Sequence, residues 1–390
     1  MLYLDHAATS PVRREVLEAM WPWLTGEFGN PSSTHDLGRR AADGLADARR
    51  RIAAQLGCRA SEVVLTSGGT EADNLAVKGI VLASTRGRHI VTTPIEHEAV
   101  LAAVEQLGRL HDATVTLLPV DRSGLVSAEH LANAIRDDTA LVSIQHANNE
   151  VGTVQAIGRL AEVAHAAGVP LHSDAVQSAA WFPVGLGQLG VDALTVSGHK
   201  LGAPKGIGAL AVRAGLPLEP VIAGGGQERG RRSGTENVAG AVGLAVALEA
   251  TRAETEESAP RVREVRDALI RAVLDGVPIA SVTGAWDSAA QSSARDDVRL
   301  PGTASFVLDG VSGESVLLEL EQQGMVGSSG SACAAGRDEA SHVLLALGYS
   351  DELARSAIRF TLSPEVTVGD AERIASALAD AVDRVRALGR

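Results

Sequence analysis

The stretch VDALTVSGHKLGAPKGIG, residues 191–208, joins an apolar run to a polar, glycine-rich loop. The run predicts a strand that ends at Val196, after which a glycine lets the backbone turn sharply. In open sheets of parallel strands, ligands bind beyond the carboxyl ends of the strands. We therefore expect Ser197, His199 and Lys200 to face a ligand cleft.

The same pattern recurs through the first two-thirds of the chain. Short β-branched runs alternate with helical stretches rich in Ala, Leu and Arg, such as residues 38–57. Strands that alternate with helices predict crossover units and an α/β fold with a mainly parallel sheet. The runs expected to form strands are SEVVLTSGG, RHIVTTPIEH, ATVTLLPV, TALVSIQHANNE, VPLHSDAVQ and VDALTVSGHK.

A polar, mostly helical stretch at residues 250–274 separates this part from the rest of the chain. Pro260 lies inside it and is expected to break or kink the helix. After it follow a strand (TASFVL), a helix (GESVLLELEQQG), a Gly/Ser loop and two further helices. We predict a large domain over residues 12–255 and a smaller α/β domain formed by residues 1–11 and 256–390.

Composition excludes several classes of function. The 390 residues are 45% apolar and 21% charged, and the net charge of −13 argues against general affinity for nucleic acid or an anionic membrane. Neither a secretory signal nor an apolar run long enough to span a membrane is visible, so we expect a cytoplasmic protein. Cys58 and Cys333 are far apart and form no disulfide framework, and no zinc-type spacing predicts an intrinsic metal site.

Lysine is rare in this chain, which carries nearly all its positive charge on arginine. Only Lys78, Lys200 and Lys205 occur. Arginine cannot form an imine, whereas a lysine can lose its proton and attack an aldehyde. By itself, the low count of lysines is explained equally well by chance and by a chemical role for one of them. The position of Lys200 directly after a strand makes it a better candidate than Lys205, in a Pro/Gly turn, or Lys78, on a helix.

The segment SGGTEADNLAVKG, residues 67–79, follows a second apolar strand. Its turn contains Gly69, and a helix is expected to open at Thr70. Free amides at a helix start bind anions, and the Thr70 hydroxyl can cap the helix or bond a phosphate oxygen. An ordinary strand–turn–helix joint gives the same pattern.

The segment HSDAVQS, residues 172–178, places Asp174 at the end of a third apolar run. A buried carboxylate needs a partner, and a pyridinium nitrogen is one such partner. Gln177 could then reach the phenolic oxygen of the same cofactor. A strand-end aspartate that caps the following turn is the alternative.

Cys333 lies in VGSSGSACAAGRDEAS, residues 326–341, a run without apolar periodicity. An accessible loop of this kind suits a reactive thiol, although an inert small residue in a turn fits as well. Cys58, just past a predicted helix end, is interpreted as structural.

Three further residues are candidates for ligand contacts. His97 follows a strand and could stack on a cofactor ring, although a structural histidine is more common. Asn149 and Arg359 could clamp a substrate carboxylate, arginine through its bidentate fork, although surface ion pairing is the default reading.

Taken in chain order, the motifs SGGTEADNLA, EHEAV, ANNEVG, HSDAVQS, SGHK, RSGTEN, SSGSAC and AIRF closely resemble the cysteine desulfurases of the NifS/IscS type, in the class V aminotransferase family. The resemblance runs over essentially the whole chain. It implies the pyridoxal-phosphate-dependent transferase fold of type I, which is aspartate aminotransferase-like. It also implies a homodimer and the conversion of L-cysteine into L-alanine with release of sulfur.

The resemblance also implies roles for single residues. Lys200, Cys333 and His97 would be catalytic, with Lys200 holding the pyridoxal 5'-phosphate and Cys333 accepting the sulfur as a persulfide. Asn149 and Arg359 would hold the substrate carboxylate. The implied cofactor-binding residues are Gly69, Thr70, His97, Asp174, Gln177, Ser197, His199, Lys200 and, from the other subunit, Thr235.

The destination of the sulfur stays open on sequence alone. The resemblance implies an acceptor protein such as an iron–sulfur scaffold or a tRNA thiolase, and Cys333 could transiently contact a nascent iron–sulfur cluster. A selenocysteine lyase or another class V aminotransferase-type enzyme is the alternative, and Cys333 discriminates because those reactions need no thiol acceptor. A non-catalytic binding protein is disfavoured, because it would not need Lys200 and Asp174.

Overall fold

A computed structural model describes residues 1–286, 298–330 and 340–388 of the chain. The strands are β1 (Leu2–Tyr3), β2 (Val63–Thr66), β3 (His89–Thr92), β4 (Thr114–Leu117), β5 (Thr139–Ser143), β6 (Leu171–Asp174), β7 (Ala193–Ser197), β8 (Gly208–Val212), β9 (Ala280–Val282), β10 (Thr303–Leu308), β11 (Met325–Val326) and β12 (Ile358–Thr361). The helices are α1 (Arg14–Thr25), α2 (Asp36–Gln55), α3 (Gly69–Ala83), α4 (Glu98–His111), α5 (Ala128–Ala134), α6 (Ile157–Ala166), α7 (Leu186–Leu189), α8 (Val238–Gly276), α9 (Gly313–Gln322), α10 (His342–Ala346), α11 (Asp351–Arg355) and α12 (Val368–Leu388).

The main sheet confirms the predicted α/β fold. Its seven strands lie in the order β2-β8-β7-β6-β5-β3-β4, and the pairs from β7 to β4 are all parallel. Each of the six predicted strand runs contains one of these strands. The remaining strand, β8, returns from the loop after β7 and pairs antiparallel with both β7 and β2. It escaped prediction because its sequence GALAV begins on a glycine and contains a single β-branched residue.

Helices cover the sheet and supply the first hydrophobic cluster. The strands β2, β3, β5, β6, β7 and β8 are buried along their whole length, which is typical of strands with helices on both faces. α2 presents Ala41, Leu45, Ala48 and Ile52 at helical spacing to this cluster. The edge strand β4 is exposed on most of its residues.

The long helix α8 runs through Pro260 without interruption, so the helix is not broken at this residue, while a kink stays a prediction. Proline inside a helix removes one backbone hydrogen bond, and its ring crowds the carbonyl of the preceding turn, so packing must offset this cost. Packing on both sides of the proline holds the helix together, because Val242 and Leu248 lie in the cluster around the main sheet and Val262 and Leu269 lie in a second cluster.

The second cluster surrounds the antiparallel sheet β12-β10-β9, together with α9 and α12. The N-terminal residues join it, since β1 pairs with β11 and Leu4 is fully buried there. Three helices follow the Gly/Ser loop, namely α10, α11 and α12, where two were predicted. The predicted boundary near residue 256 falls inside α8, and the division into residues 12–255 on one side and 1–11 with 256–390 on the other stays a prediction.

Two further findings concern only the residues that the structure describes. No helix among them is long and apolar enough to cross a membrane. Within the same ranges, no group of three or more His, Cys, Asp or Glu side chains is arranged to hold a metal ion.

Candidate active site

A cavity of about 800 Å³ lies at the carboxyl ends of β2, β6 and β7. It brings together most of the residues singled out in the sequence: Gly69, Thr70, His97, Asn149, Asp174, Gln177, Ser197, His199, Lys200 and Arg359. Thr235 is exposed and is absent from the cavity lining. Cys333 falls in residues 331–339, outside the described residues.

One end of the cavity has the donors that a phosphate needs. α3 begins at Gly69, so its first amides have no partner within the helix and point toward the cavity. Gly68 has a φ of 157°, and a Cβ added at Gly69 would lie 2.9 Å from Val176 Cγ2. The turn is therefore a tight one. The Ser197 hydroxyl is buried beside it and has no hydrogen-bond partner within the described residues.

His199 supplies a neutral donor at the same end. Its Nδ1 lies 3.2 Å from Thr9 Oγ1. Burial lowers the pKa of His199 to about 4, and the charges on Lys200 and Lys205 act in the same direction. The imidazole is thus uncharged near neutral pH and can donate one N–H to an anion. Amides, a free hydroxyl and this imidazole together fit the phosphate group of pyridoxal phosphate.

Asp174 is the last residue of β6 and is buried. The amide of Val176 donates to its Oδ1 at 2.8 Å, so Asp174 does cap the following turn, as the alternative interpretation proposed. Burial raises the pKa of this carboxyl, while the charges on His97 and Lys200 favour its ionised form. A carboxylate in this position gains from a cationic partner in the cavity, and a protonated ring nitrogen fits that requirement.

Lys200 follows β7 and points toward the N-terminal segment. Its Nζ donates to the carbonyl oxygens of Ala7 and Ala8, the latter at 2.7 Å. Gln177 Nε2 donates to the same Ala7 oxygen at 3.0 Å. The N-terminal segment is therefore part of the site, and nothing in its sequence indicated that the lysine would contact it.

Arg359 on β12 has a side chain that is almost completely buried. Its Nη1 donates to Asn149 O at 2.7 Å and to Gly330 O at 3.2 Å, and its Nη2 pairs with Asp5 Oδ1 at 2.6 Å. Its Nε is buried and has no partner in the described part of the chain. The surface ion-pair interpretation is wrong for this residue, because its ion pair with Asp5 is buried and its Nε is a buried donor without a partner in the described residues.

His97 is the N-cap of α4. Its Nδ1 accepts a hydrogen bond from the amide of Ala99 at 3.1 Å, so the structural role considered for it is present. Its side chain also lines the cavity and influences the ionisation of Asp174. The predicted stacking of this ring on a cofactor stays a prediction.

Three acidic residues of the site were missed in the sequence. Asp5 pairs with Arg359, Asp73 is a buried residue of the cavity lining, and Glu96 is buried and influences the ionisation of Asp73. Burial raises the pKa of Glu96 to about 8. Asp73 gave one usable signal, since it stands between Ala72 and Leu75 on the buried face of α3, where a carboxyl is costly.

The structural interpretation of Cys58 is supported. It lies just past the end of α2, packs against the cluster around the main sheet, and burial raises the pKa of its thiol to about 12. A thiol with so high a pKa is mostly protonated at neutral pH and is a poor nucleophile.

Comparison with known proteins assigns the chain to a family. The Aminotransferase class-V model matches residues 2–374. The cysteine desulfurase IscS of Dictyoglomus turgidum is 42% identical over 388 residues, which cover 99% of this chain and 96% of that protein. A solved structure described as a NifS-like protein has a TM-score of 0.88 at 34% identity and covers 98% of this chain and 99% of its own. A second solved structure, SspA in complex with cysteine, has a TM-score of 0.76 at 36% identity and covers 93% of this chain and 99% of its own.

The chain therefore belongs to the aminotransferase class-V family. Within that family, it is similar over its whole length to cysteine desulfurases of the IscS and NifS type. The resemblance carried by the motifs is confirmed, and so is the expected type I fold.

Proposed function

We propose that this protein is a pyridoxal-phosphate-dependent cysteine desulfurase, which converts L-cysteine into L-alanine and leaves the sulfur as a persulfide on Cys333. The observation that carries the proposal is the meeting of Lys200, Asp174 and Ser197 at the strand ends of one cavity. The full-length similarity to cysteine desulfurases supports the choice of reaction.

Pyridoxal 5'-phosphate, when bound, supplies an electron sink for the carbon skeleton of an amino acid. The amides of Gly69 and Thr70, the Ser197 hydroxyl and the His199 ring hold its phosphate. Asp174 pairs with the ring nitrogen and Gln177 with the phenolic oxygen, with His97 against the ring. Lys200 anchors the cofactor through its Nζ.

The substrate carboxylate binds at Arg359 and Asn149. The open Nε of Arg359 gives a charged donor at a fixed position, because the Asn149 and Gly330 carbonyls hold the other end of the guanidinium. With the cofactor bound, the Nζ of Lys200 would take the proton from the substrate Cα and would return it before alanine is released. The Cys333 thiolate would form a bond to the substrate sulfur while the substrate carbon–sulfur bond breaks. The electron pair of that bond would stay with the substrate Cβ, which takes up a proton, so that alanine leaves and the sulfur remains as a persulfide on Cys333.

The proposal extends to assembly and location. Thr235 is exposed in the single chain, which agrees with a role across a homodimer interface. The cytoplasm is the proposed location, because its reducing conditions keep thiols such as Cys333 free. An iron–sulfur scaffold or a tRNA thiolase is the proposed class of sulfur acceptor.

The deciding experiment compares purified wild type with Cys333→Ser, Lys200→Ala and the control Cys58→Ser. With cysteine and a reductant, we expect wild type and Cys58→Ser to release sulfide and alanine. Cys333→Ser should keep the visible absorbance of the lysine-bound cofactor but release no sulfide, and Lys200→Ala should lose both. Undiminished sulfide release by Cys333→Ser would remove that thiol from the reaction and favour a lyase without a thiol acceptor.

A further inference from the structure

Asp73 lies in α3 and is only 1% exposed. Below it, Asp174 of β6 and Thr195 of β7 are register partners, and His172 lies two residues before Asp174. Side chains of register partners, and of residues two apart on a strand, share one face of a sheet. Asp73, His172, Asp174 and Thr195 therefore form one buried group between α3 and the sheet, here called the acid cluster.

The distances within the acid cluster show how it is held. His172 Nε2 lies 3.0 Å from Thr195 Oγ1 and 3.7 Å from Asp73 Oδ1, and His172 Nδ1 lies 2.9 Å from Ser143 Oγ. The Thr195 hydroxyl also favours the ionised form of the Asp73 carboxyl, but its effect on the pKa of Asp73 is smaller than that of burial. Asp73 Oδ1 has no hydrogen-bond partner among the described residues, although it is fully buried.

Among the described residues, the charges that act on the ionisation of Asp73 are both negative. Asp174 and Glu96 are the acids that face it, and the pKa of Asp73 is raised well above its ordinary value by burial and by the Asp174 charge. His172 is no counter-ion, because burial lowers its pKa to about 3. The cationic influences at this end of the site, from Lys200 and His97, act on Asp174.

We propose that Asp73 is a positioning residue of the cofactor site: it remains a neutral carboxylic acid, so that the one negative charge of the acid cluster rests on Asp174. Two carboxylates that share a buried site cannot both ionise cheaply. An ionised Asp73 would push Asp174 toward its neutral form. This inference rests on the proposed function, because Asp174 pairs with a protonated aromatic nitrogen only when such a cofactor is bound.

The first test uses the cofactor-free protein and the variant Asp73→Asn, which is neutral at every pH and nearly the same size. A carboxyl with a raised folded-state pKa makes the folded state bind more protons than the unfolded state, so wild type loses stability as pH rises from about 4. The advantage of Asp73→Asn in melting temperature should therefore grow between pH 4 and pH 8. The control is Asp43→Asn on the exposed face of α2, where no growth is expected.

The second test detects the proton itself. An infrared difference spectrum of wild type minus Asp73→Asn at pH 7 should contain the carbonyl band of a protonated carboxylic acid, since Glu96 contributes to both proteins and cancels. A difference spectrum with only carboxylate bands, together with a pH-independent difference in melting temperature, would overturn the proposal.

The third test reads the cofactor site. We expect Asp73→Asn to bind pyridoxal phosphate at pH 7 with a dissociation constant within about threefold of wild type, and the pH midpoint of its visible absorbance to move by less than half a unit. Asp174→Asn should move that midpoint by about one unit or more, because it removes a charge. A shift in Asp73→Asn as large as in Asp174→Asn would mean that Asp73 is ionised.

The outcomes separate this inference from the proposed function. If wild type gains no visible absorbance with pyridoxal phosphate, the proposed function fails, while the melting and infrared results still decide the protonation of Asp73. If the absorbance appears but Asp73→Asn shifts its pH midpoint as much as Asp174→Asn does, the proposed function stands and the inference fails.

Discussion

Two buried carboxyl groups of this molecule have opposite surroundings. Glu228 is held by Arg49 through two hydrogen bonds of 2.6 and 2.8 Å, and it also accepts the amide of Leu65. Asp174 accepts one amide, has a second buried carboxyl, Asp73, on one side, and faces an open cavity. The first charge is neutralised by the chain itself, whereas the second needs a ligand.

This difference separates a structural site from a binding site. The Arg49–Glu228 pair fixes the loop at residues 224–237, where both Glu228 and Arg229 adopt a positive φ that only packing can hold. That loop also carries Thr235. Asp174 instead contributes unsatisfied charge at the place where the cofactor ring is proposed to lie, which is typical of functional sites.

Arg49→Ala should have the largest effect on the structure. It leaves the Glu228 carboxylate buried without its partner, so we expect a loss of about 3–5 kcal/mol in the free energy of unfolding. Denaturant unfolding of the cofactor-free protein measures it. The control Arg50→Ala removes an exposed partner of Asp47 and should cost less than about 1 kcal/mol. Equal losses in the two variants would show that the buried Arg49–Glu228 pair contributes no more to stability than the exposed Arg50–Asp47 pair.

Asp174→Asn should lower the affinity for the cofactor and leave the stability of the protein intact. The cofactor-free protein should keep its stability at pH 7 or gain some, because burial raises the pKa of Asp174 and an amide carries no charge to bury. The affinity for pyridoxal phosphate should fall by about tenfold to a hundredfold, since a charge-assisted hydrogen bond to the ring nitrogen is lost. Calorimetric titration measures the affinity. A strong loss of stability with unchanged affinity would make Asp174 a structural residue like Glu228.

Arg359→Lys tests whether the second buried arginine serves the substrate. A lysine cannot donate to Asn149, Gly330 and Asp5 and still offer the further N–H that Arg359 has at Nε. We expect the KM for cysteine to rise about tenfold while the absorbance of the bound cofactor stays the same. The matched control is Arg355→Lys on α11, which is exposed. An unchanged KM for Arg359→Lys would place the substrate carboxylate elsewhere.

His199→Gln should have the smallest effect. Glutamine still offers an N–H donor, so the hydrogen bond to the phosphate is lost only in part, and phosphate binding weakens by about threefold to tenfold. The pKa of His199 is lowered to about 4, so the ring is uncharged from pH 5.5 to pH 8, and the ratio of the two dissociation constants should be constant over that range. A ratio that grows as pH falls would show that a cationic imidazole holds the phosphate.

The features that local sequence determines were predicted well. The six strands, the turn before α3 and the strand-end positions of Asp174 and Lys200 follow from short apolar runs that end in glycine or polar residues. The helix continues through Pro260, where a break was one of the two expected outcomes, because it packs with two clusters that are distant in sequence.

The contacts that span the chain were not predictable. Asp5 and Arg359 are 354 positions apart, and no local pattern relates them. Asp73 belongs to the anion-binding motif in sequence, but only the fold shows that its carboxyl lies beside His172. Asp5 and Asp73 are therefore residues of the site that the structure was needed to find.

The most direct test of the account is the intact mass of the cofactor-loaded protein after incubation with cysteine and no reductant. We expect wild type to gain one sulfur atom, located on the peptide that contains Cys333, together with one equivalent of alanine. Cys333→Ser should gain none, while Cys58→Ser should behave as wild type. Alanine formation without any sulfur on Cys333, or sulfur carried on Cys58, would contradict the account.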